Sequence, residues 1–153
     1  MTTIELVTLI RAPSSLCFTI SLSIDLEVEA AKAYSIRPIS GVTSGTIGPG
    51  ERVQWRTRQF GFWIKHTSEI TEYDPPILFE DTMVRGIFSS FRHRHHFYQS
   101  GSGDTEMRDE LSFSLPLSFL SERLAAPRLR RLLIVRNELI RKTAEEQALV
   151  PGR

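Results

Sequence analysis

One pattern occupies the chain from residue 35 to residue 115 and limits what it can fold into. Seven segments with the composition and alternation of β-strands follow one another, separated by short breaks. The segments are 35–40, 42–47, 51–59, 62–73, 77–85, 91–99 and 104–115. The breaks carry turn residues such as Gly48-Pro49-Gly50 and Asp74-Pro75-Pro76. Because connections this short join antiparallel neighbours, the pattern predicts an antiparallel meander.

The elements on either side of the meander differ from it. Residues Ile4 to Arg11 alternate and predict a first strand. Two short helices are expected next, with Pro13 in the first turn of one and Asp25 as the N-cap of the other. From Leu117 to about Gln147 the spacing is helical, and Pro127 is expected to break or kink the chain between a short turn at Phe119 to Ala125 and the main helix. A sheet with one apolar face needs a cover, so the sequence predicts an α+β fold with the long helix packed on the sheet.

Composition narrows the class of protein. At 153 residues the chain is expected to form a single domain, with a body of about 4–147 and a frayed C-terminus. The net charge of +1 argues against a dedicated nucleic-acid binder. Cys17 is the only cysteine, which excludes an internal disulfide and a cysteine-based zinc site and fits a reducing compartment. Without a membrane-length apolar run or the features of a signal peptide, a cytoplasmic protein is expected.

Several short stretches follow an order and a spacing shared with one superfamily. They are Ile10-Arg11-Ala12-Pro13 with Phe18, residues 50–55, Phe60-Gly61, residues 70–76, Phe79-Glu80-Asp81, residues 91–97 and residues 103–109. In these stretches the chain resembles the START-like (SRPBCC) superfamily, and in particular its small bacterial members. This superfamily includes polyketide cyclases and lipid-binding START domains. The resemblance covers residues 4 to 142 and lies in order and spacing rather than in a single motif.

The resemblance implies a helix-grip fold. In this fold a curved antiparallel sheet of about six or seven strands, in the order β-α-α-β-meander-α, wraps around a long C-terminal helix. It also implies a deep cavity between sheet and helix that holds a hydrophobic small molecule, such as a lipid, an isoprenoid quinone or an aromatic polyketide-like compound. No cofactor or metal is expected, and the protein is expected to be a monomer or a homodimer. One activity is not implied, because members include binders, transporters and a few enzymes.

Strand alternation separates the side chains that face the helix from those that face water. On 104–115 Asp109 shares the apolar face, as His93 and His95 do on 91–97. The residues predicted to bind the ligand are Trp55, His66, Asp81, Met83, His93, His95, Phe97, Met107, Asp109, Phe113, Leu132 and Arg136.

Polar groups on this inward face need partners if they are buried. If the two turns centre near Gly101 and Phe88, His93 lies opposite Asp109, and His95 lies opposite Asp81. The sequence therefore predicts two His–carboxylate pairs. One interpretation is a satisfied hydrogen-bond network that lines the binding cavity.

Two other interpretations of the polar cluster stay open. His93, His95 and Asp109 have the residue types of an acid–base catalyst, such as a cyclase or dehydratase requires. Alternatively, His93 and His95 with His66 and a carboxylate resemble a metal-ligand set. Alternation places His96 on the opposite face, and the two neighbouring arginines oppose a cation, so both observations count against a metal.

Two predicted hairpin tips are unusually aromatic. Alternate turns of a meander lie at the same end of the sheet, so these tips are expected to form the rim of the cavity mouth. The predicted rim residues are Phe60, Phe62, Trp63, Ile87 and Phe88. The alternatives are that they fold under the long helix as core, or that the rim contacts a membrane transiently.

The C-terminal helix carries its own charge pattern. Residues 121–142 contain seven basic and two acidic side chains, a net +5. One interpretation is an interaction module that binds an acidic partner through this helix, and the other is an ordinary solvated face. Arg136 falls on the apolar stripe and is expected to meet an anionic ligand or an inward carboxylate.

Overall fold

The fold is an antiparallel sheet covered on one face by helices. A computed structural model describes residues 1–59, 61–117 and 119–150. Its elements are β1 (Thr2–Ile10), α1 (Ser14–Ser21), α2 (Ile24–Ala31), β2 (Arg37–Gly41), β3 (Arg52–Gln59), β4 (Phe62–Asp74), β5 (Leu78–Arg85), β6 (Ser90–Gln99), β7 (Thr105–Ser114) and α3 (Phe119–Ala148). The strands form one sheet in the order β1-β7-β6-β5-β4-β3-β2. The predicted α+β architecture and the meander are confirmed.

The segment 42–47 is not the strand that alternation predicts. Its backbone bonds to the junction of α1 and α2 instead, where Gly45 accepts a hydrogen bond from the Ile24 amide (2.8 Å) and Leu22 accepts one from the Ile47 amide (3.1 Å). The Ile47 side chain is buried there. The alternation of apolar residues predicts that side chains of such a segment are buried, but it does not predict which groups its backbone hydrogen-bonds to.

Three helix boundaries also differ from expectation. Ser23, not Asp25, caps α2, because its hydroxyl accepts from the Leu26 amide at 3.2 Å. The Asp25 carboxylate instead accepts from the Gly45 amide at 3.0 Å. Pro13 is the extended N-cap residue of α1 rather than part of its first turn. The helix α3 continues through Pro127, so the predicted break is wrong. Its neighbours Ala125 and Ala126 pack on the core beside the proline, which holds the helix together across the missing amide.

Gly41 ends β2 in a conformation that other residues avoid. Its φ is +77°, and a Cβ at this position would collide with the backbone carbonyl of Arg52. Replacing Gly41 by alanine should lower the free energy of unfolding by about 2–4 kcal/mol, because left-handed strain and a backbone clash add together. Gly45→Ala is the matched control: its φ is +73° but its Cβ would meet open space, so only the strain of about 1–2 kcal/mol applies. Equal losses in urea denaturation would contradict the clash.

The core between sheet and helices is divided in two. One hydrophobic cluster joins α1 to the ends of β6, β7 and α3 that carry Phe97, Met107 and Ile140. The other surrounds Leu111, Phe113 and Leu133. On each of these elements the residues between the two clusters are polar. They are His93 and His95 on β6, Asp109 on β7, and Arg136 and Asn137 on α3.

The helix α3 packs mainly against β1, α1 and α2. On this side the inward side chains of β7, and those of β6 from His93 onward, are buried. On the other side, part of the inward face of β3, β4 and β5 remains half-buried; the side chains concerned are Trp55, Thr57, Ile64, His66, Asp81 and Met83. Within the described residues, no helix is long and apolar enough to cross a membrane.

Candidate functional site

The polar side chains between the two hydrophobic clusters include both predicted His–carboxylate pairs. His93 Nε2 lies 2.9 Å from Asp109 Oδ1, and His95 Nε2 lies 3.2 Å from Asp81 Oδ2. Each pair is hydrogen-bonded, so the predicted side-chain pairing is confirmed. These four side chains come from three adjacent strands, β5, β6 and β7.

The backbone register behind these pairs differs from the predicted one. His95, not His93, lies directly opposite Asp109, and His93 lies opposite Asp81. The turns therefore centre one residue away from the expected positions, which moves each register by two. A shift of two keeps every side chain on its face. The predicted pairs form all the same, because the side chains reach each other diagonally.

Each imidazole also contacts the second carboxylate. His95 Nδ1 lies 2.9 Å from Asp109 Oδ1 and His93 Nδ1 lies 3.8 Å from Asp81 Oδ2. The first contact is short but poorly aligned, and His95 Nδ1 is left without a hydrogen-bond partner. The ring centroids are 3.8 Å apart. Two histidines are thus held between two carboxylates.

The helix α3 completes the network from the opposite side. Asn137 Nδ2 donates to Asp109 Oδ2 at 2.6 Å, and Arg136 Nη1 lies 3.6 Å from Asp109 Oδ1. The predicted contact of Arg136 with an inward carboxylate is confirmed. Arg136 also donates to the Ser21 carbonyl at 3.1 Å and forms an ion pair with Glu27 of α2. We call these seven residues the polar layer: Glu27, Asp81, His93, His95, Asp109, Arg136 and Asn137.

The contacts set the protonation states within the polar layer. Burial alone would raise the pKa of Asp109, but the hydrogen bond from His93 and the close contact with His95 hold it well below its usual value. The pKa of Asp81 is lowered in the same way, against burial, by His95 and His93. Burial and Arg136 oppose a charge on His95, yet its two carboxylate partners raise its pKa. Burial and the neighbouring His95 lower the pKa of His93. His95 is therefore the more readily protonated imidazole.

Asp81 is the member of the buried His–carboxylate cluster that reaches the surface. Its side chain is 22% exposed, whereas those of His93, His95 and Asp109 are at most 9% exposed. It opens toward the half-buried inner face of β3–β5, where burial lowers the pKa of His66 and the Asp81 charge opposes this effect. Gly86 lies so close to His66 on that face that an added Cβ would be 3.1 Å from His66 Nδ1.

The remaining predicted ligand-binding residues divide by location. Phe97, Met107 and Phe113 are fully buried and fill the hydrophobic clusters. Trp55, His66, Met83 and Leu132 are half-buried. Sequence reasoning missed Glu27 and Asn137. Asn137 follows Arg136 and precedes Ile140 by three positions, which signals a buried helix face, but nothing in the sequence distinguishes Glu27 from an ordinary surface acid.

The predicted rim residues differ in how exposed they are. Phe62 and Ile87 are exposed, and Phe60 lies outside the described residues. Phe88 is half-buried and packs on Phe91 and Phe113, with centroid distances of 4.9 and 5.9 Å. Trp63 lies on the outer face of the sheet, with the Arg56 guanidinium 4.3 Å from its ring centre.

Among the described residues, the polar layer and the two hydrophobic clusters fill the space beneath β6 and β7 where a deep cavity is expected. Two surface grooves of about 420 and 290 Å³ are present in the part of the chain that the structure describes. The larger lies between α1, α2 and the end of α3, and the smaller between α1 and Tyr73 to Pro76. Neither is lined by a predicted ligand-binding residue. The least covered part of the inner face of the sheet is instead on β3–β5, where the inward side chains Trp55, Ile64 and Met83 are half-buried.

Comparisons with solved structures identify the architecture. The fold matches TTHA0849 from Thermus thermophilus at a TM-score of 0.69 and 16% identity, over 94% of this chain and 99% of that one. It matches the ZhuI aromatase/cyclase from a Streptomyces species at a TM-score of 0.70 and 12% identity, over 99% and 98%. The ginseng major latex-like protein 151 from Panax ginseng matches at 0.61 and 14% identity, over 97% and 98%.

Sequence comparison adds no closer relative. No family model matches the chain. No curated protein matches it either. The likeness to the solved structures extends over nearly the whole of each chain, and it agrees with the element order and the sheet described above. The protein therefore has the helix-grip fold that these solved structures share.

Proposed function

We propose that the protein binds a hydrophobic small molecule in the cleft between the inner face of β3–β5 and the first half of α3. The observation that carries this proposal is the uneven covering of the sheet. The inward side chains of β7, and those of β6 from His93 onward, are buried, while the aromatic and apolar side chains Trp55, Ile64 and Met83 stay half-buried. Apolar surface that a small domain leaves partly open is typical of a binding site.

The boundaries of the cleft support this location. Phe88 of the β5–β6 loop packs with Leu129 of α3 in one hydrophobic cluster. The preceding residue of α3, Arg128, has its guanidinium 5.7 Å from the ring centre of Tyr34. Both contacts lie on the same turn of α3 and join the helix to elements beside the half-buried face. A guest entering here would be buried mainly by apolar contact.

The polar end of the cleft favours a guest with a hydrogen-bond donor. Asp81 is ionised, since its pKa is lowered, and it is the accessible member of the His–carboxylate cluster. An ionised carboxylate only accepts hydrogen bonds. An apolar body with a hydroxyl or phenol therefore suits the site better than a quinone, whose carbonyls only accept. This favours an aromatic polyketide-like or hydroxylated lipid ligand among the classes that the sequence suggests.

Filling the cleft should abolish binding without unfolding the protein. Met83→Trp is expected to weaken binding of the fluorescent probe 8-anilinonaphthalene-1-sulfonate at least tenfold, equivalent to about 1.4 kcal/mol. The matched control is Val84→Trp, one residue along β5 on the exposed outer face, which should leave binding unchanged. Equal affinity in wild type and Met83→Trp, or equal loss in both variants, would contradict the proposed location. Mass analysis of solvent extracts of the purified protein would identify any copurified guest.

An acid–base enzyme is the second candidate, and one observation favours it. His93 has a lowered pKa and a hydrogen bond to Asp109, so a neutral imidazole held by a carboxylate lies next to the cleft. This is the arrangement of a general base. The similarity in fold to an aromatase/cyclase is compatible with this role. Recovery of a chemically altered guest after incubation would favour the enzyme, and recovery of the same compound would favour the binding protein.

A further inference from the structure

We propose that Asp81, His93 and His95 form a binding site for a divalent transition-metal ion. One ligand atom from each of the three residues lies within 4.8 Å of the others. Asp81 Oδ2 lies 3.2 Å from His95 Nε2 and 3.8 Å from His93 Nδ1. Around a tetrahedral ion with bonds of about 2.0–2.1 Å, ligand atoms lie about 3.4 Å apart. The two distances to Asp81 lie on either side of that value, and the two histidine ligand atoms lie within 4.8 Å of each other, so an ion fits after movements of the side chains alone.

The two ring nitrogens that point away from Asp81 support the same assignment. His93 Nε2 and His95 Nδ1 each lie 2.9 Å from the same atom, Asp109 Oδ1. A metal-binding histidine almost always donates its other N–H to a carboxylate or carbonyl, which fixes the tautomer and the ring orientation. Asp109 is itself held by Asn137 and Arg136. One buried carboxylate is thus placed to orient both imidazoles.

This arrangement leaves three acceptors facing one another. If both histidines donate to Asp109, the lone pairs of His93 Nδ1 and His95 Nε2 point toward the ionised Asp81. Converging lone pairs repel unless a cation lies between them. A proton on His95 satisfies one of these contacts, whereas a metal ion satisfies all three. In the structure His95 Nδ1 lacks an aligned partner, and a small rotation of the ring toward a shared ion would align it with Asp109.

The charge balance of the polar layer also favours a divalent ion. Asp81, Asp109 and Glu27 contribute three negative charges, and Arg136 contributes one positive charge. The net charge is −2 when both imidazoles are neutral and −1 when His95 is protonated, so in either state a divalent cation offsets negative charge. Buried charge is favourable only when it is compensated. A metal with two nitrogen ligands and one carboxylate, such as zinc or ferrous iron, fits this donor set.

Arg92 and Arg94, the arginines on either side of His93 in the sequence, do not oppose such an ion. Arg94 lies on the outer face of β6, where it pairs with Glu80 at 2.9 Å and with Glu72 at 2.8 Å. Arg92 lies within 3.9 Å of Glu80 and Glu110 on the same face. Their charges are therefore compensated on the far side of the sheet. Ions can enter through Asp81, the exposed ligand, and a fourth ligand such as water can bind from the cleft.

Titration of the purified protein, stripped of metal with EDTA, tests the site. We expect the protein to bind one Co²⁺ per chain and to show visible absorption bands that disappear when Zn²⁺ displaces the Co²⁺. Calorimetry should give the Zn²⁺ affinity. Asp109→Asn should weaken Zn²⁺ binding about 10- to 100-fold, as is typical when an orienting partner is removed. Asp81→Asn, which removes a ligand while keeping the side-chain shape, should weaken it by more than that.

His96→Ala is the matched control, because His96 is the next residue of β6 and lies on the opposite face of the sheet. Its Zn²⁺ affinity should equal that of the wild type. Circular dichroism and thermal melting verify that each variant is folded, and His93→Gln replaces Asp81→Asn if the latter does not fold. No stoichiometric Co²⁺ binding by the folded wild type, or affinity unchanged by Asp81→Asn, would overturn the proposal. So would an equal loss in His96→Ala. The result does not depend on whether the cleft binds a hydrophobic guest.

Discussion

Replacing Arg136 by methionine should lower the free energy of unfolding by about 3–5 kcal/mol, because removing one partner of a buried ion pair leaves the other charges uncompensated. Arg136 is buried and contacts Glu27, Asp109 and the Ser21 carbonyl. Methionine keeps much of the side-chain volume, so the loss reports on charge and hydrogen bonding rather than on an empty space. Urea denaturation followed by circular dichroism measures the change.

Arg130→Met on the same helix is the control for Arg136→Met. Arg130 is exposed, and substitutions at such positions usually change stability by about 0.5 kcal/mol or less. If the two variants lose equal stability, the loss at Arg136 reflects the altered helix and not the polar layer. A loss under about 1 kcal/mol at Arg136 would mean that the layer tolerates an uncompensated carboxylate, which contradicts the expected range for buried pairs.

The second large effect is expected at Phe79, where alanine should lower the free energy of unfolding by about 3–5 kcal/mol through lost burial and an unfilled space. Its ring is 2% exposed. It stacks on His95 with a centroid distance of 4.1 Å and meets Phe18 edge-on at 5.5 Å. Phe79 therefore forms part of the hydrophobic cluster and also covers one face of the polar layer. The midpoint and slope of a urea transition give the change.

Phe62→Ala supplies the comparison for Phe79→Ala. The Phe62 side chain is 75% exposed at the start of β4, so its loss should change the free energy of unfolding by about 0.5 kcal/mol or less. A Phe79→Ala protein as stable as Phe62→Ala would contradict the described packing. A Phe62→Ala protein as unstable as Phe79→Ala would show that the hairpin tip is buried in solution.

The strands of the meander were predictable from sequence because each is long and strongly patterned. The segments predicted at 62–73, 77–85 and 91–99 differ from the observed strands by only a residue or so at either end. The errors lie where tertiary contacts decide the local structure. The segment 42–47 alternates like a strand but bonds to the α1–α2 junction. Pro127 disfavours a helix locally, yet α3 is held on both sides of it by packing.

The faces of the strands were easier to predict than their register. Alternation placed His93, His95 and Asp109 on the inward face, and all three are buried there. Their register depends on turns rich in glycine and serine, which tolerate several lengths, so the pairing was displaced by two residues. Glu27 could not be found from sequence, because its role depends on how α2 packs beside α3, and helix packing leaves no short-range signal at an acidic residue.

The pairing of β1 with β7 sets the order in which the molecule can be completed. Thr2 lies opposite Phe113, so the strand synthesised first pairs with the strand synthesised last. During translation the strands from β2 to β7 can pair as successive hairpins. In contrast, β1 has no partner strand until β7 has left the ribosome. Such distant pairing slows folding and leaves an unpaired strand available for wrong contacts. The pairing of β1 with β7 is therefore the last in the sheet to form, and until then β1 is open to wrong contacts.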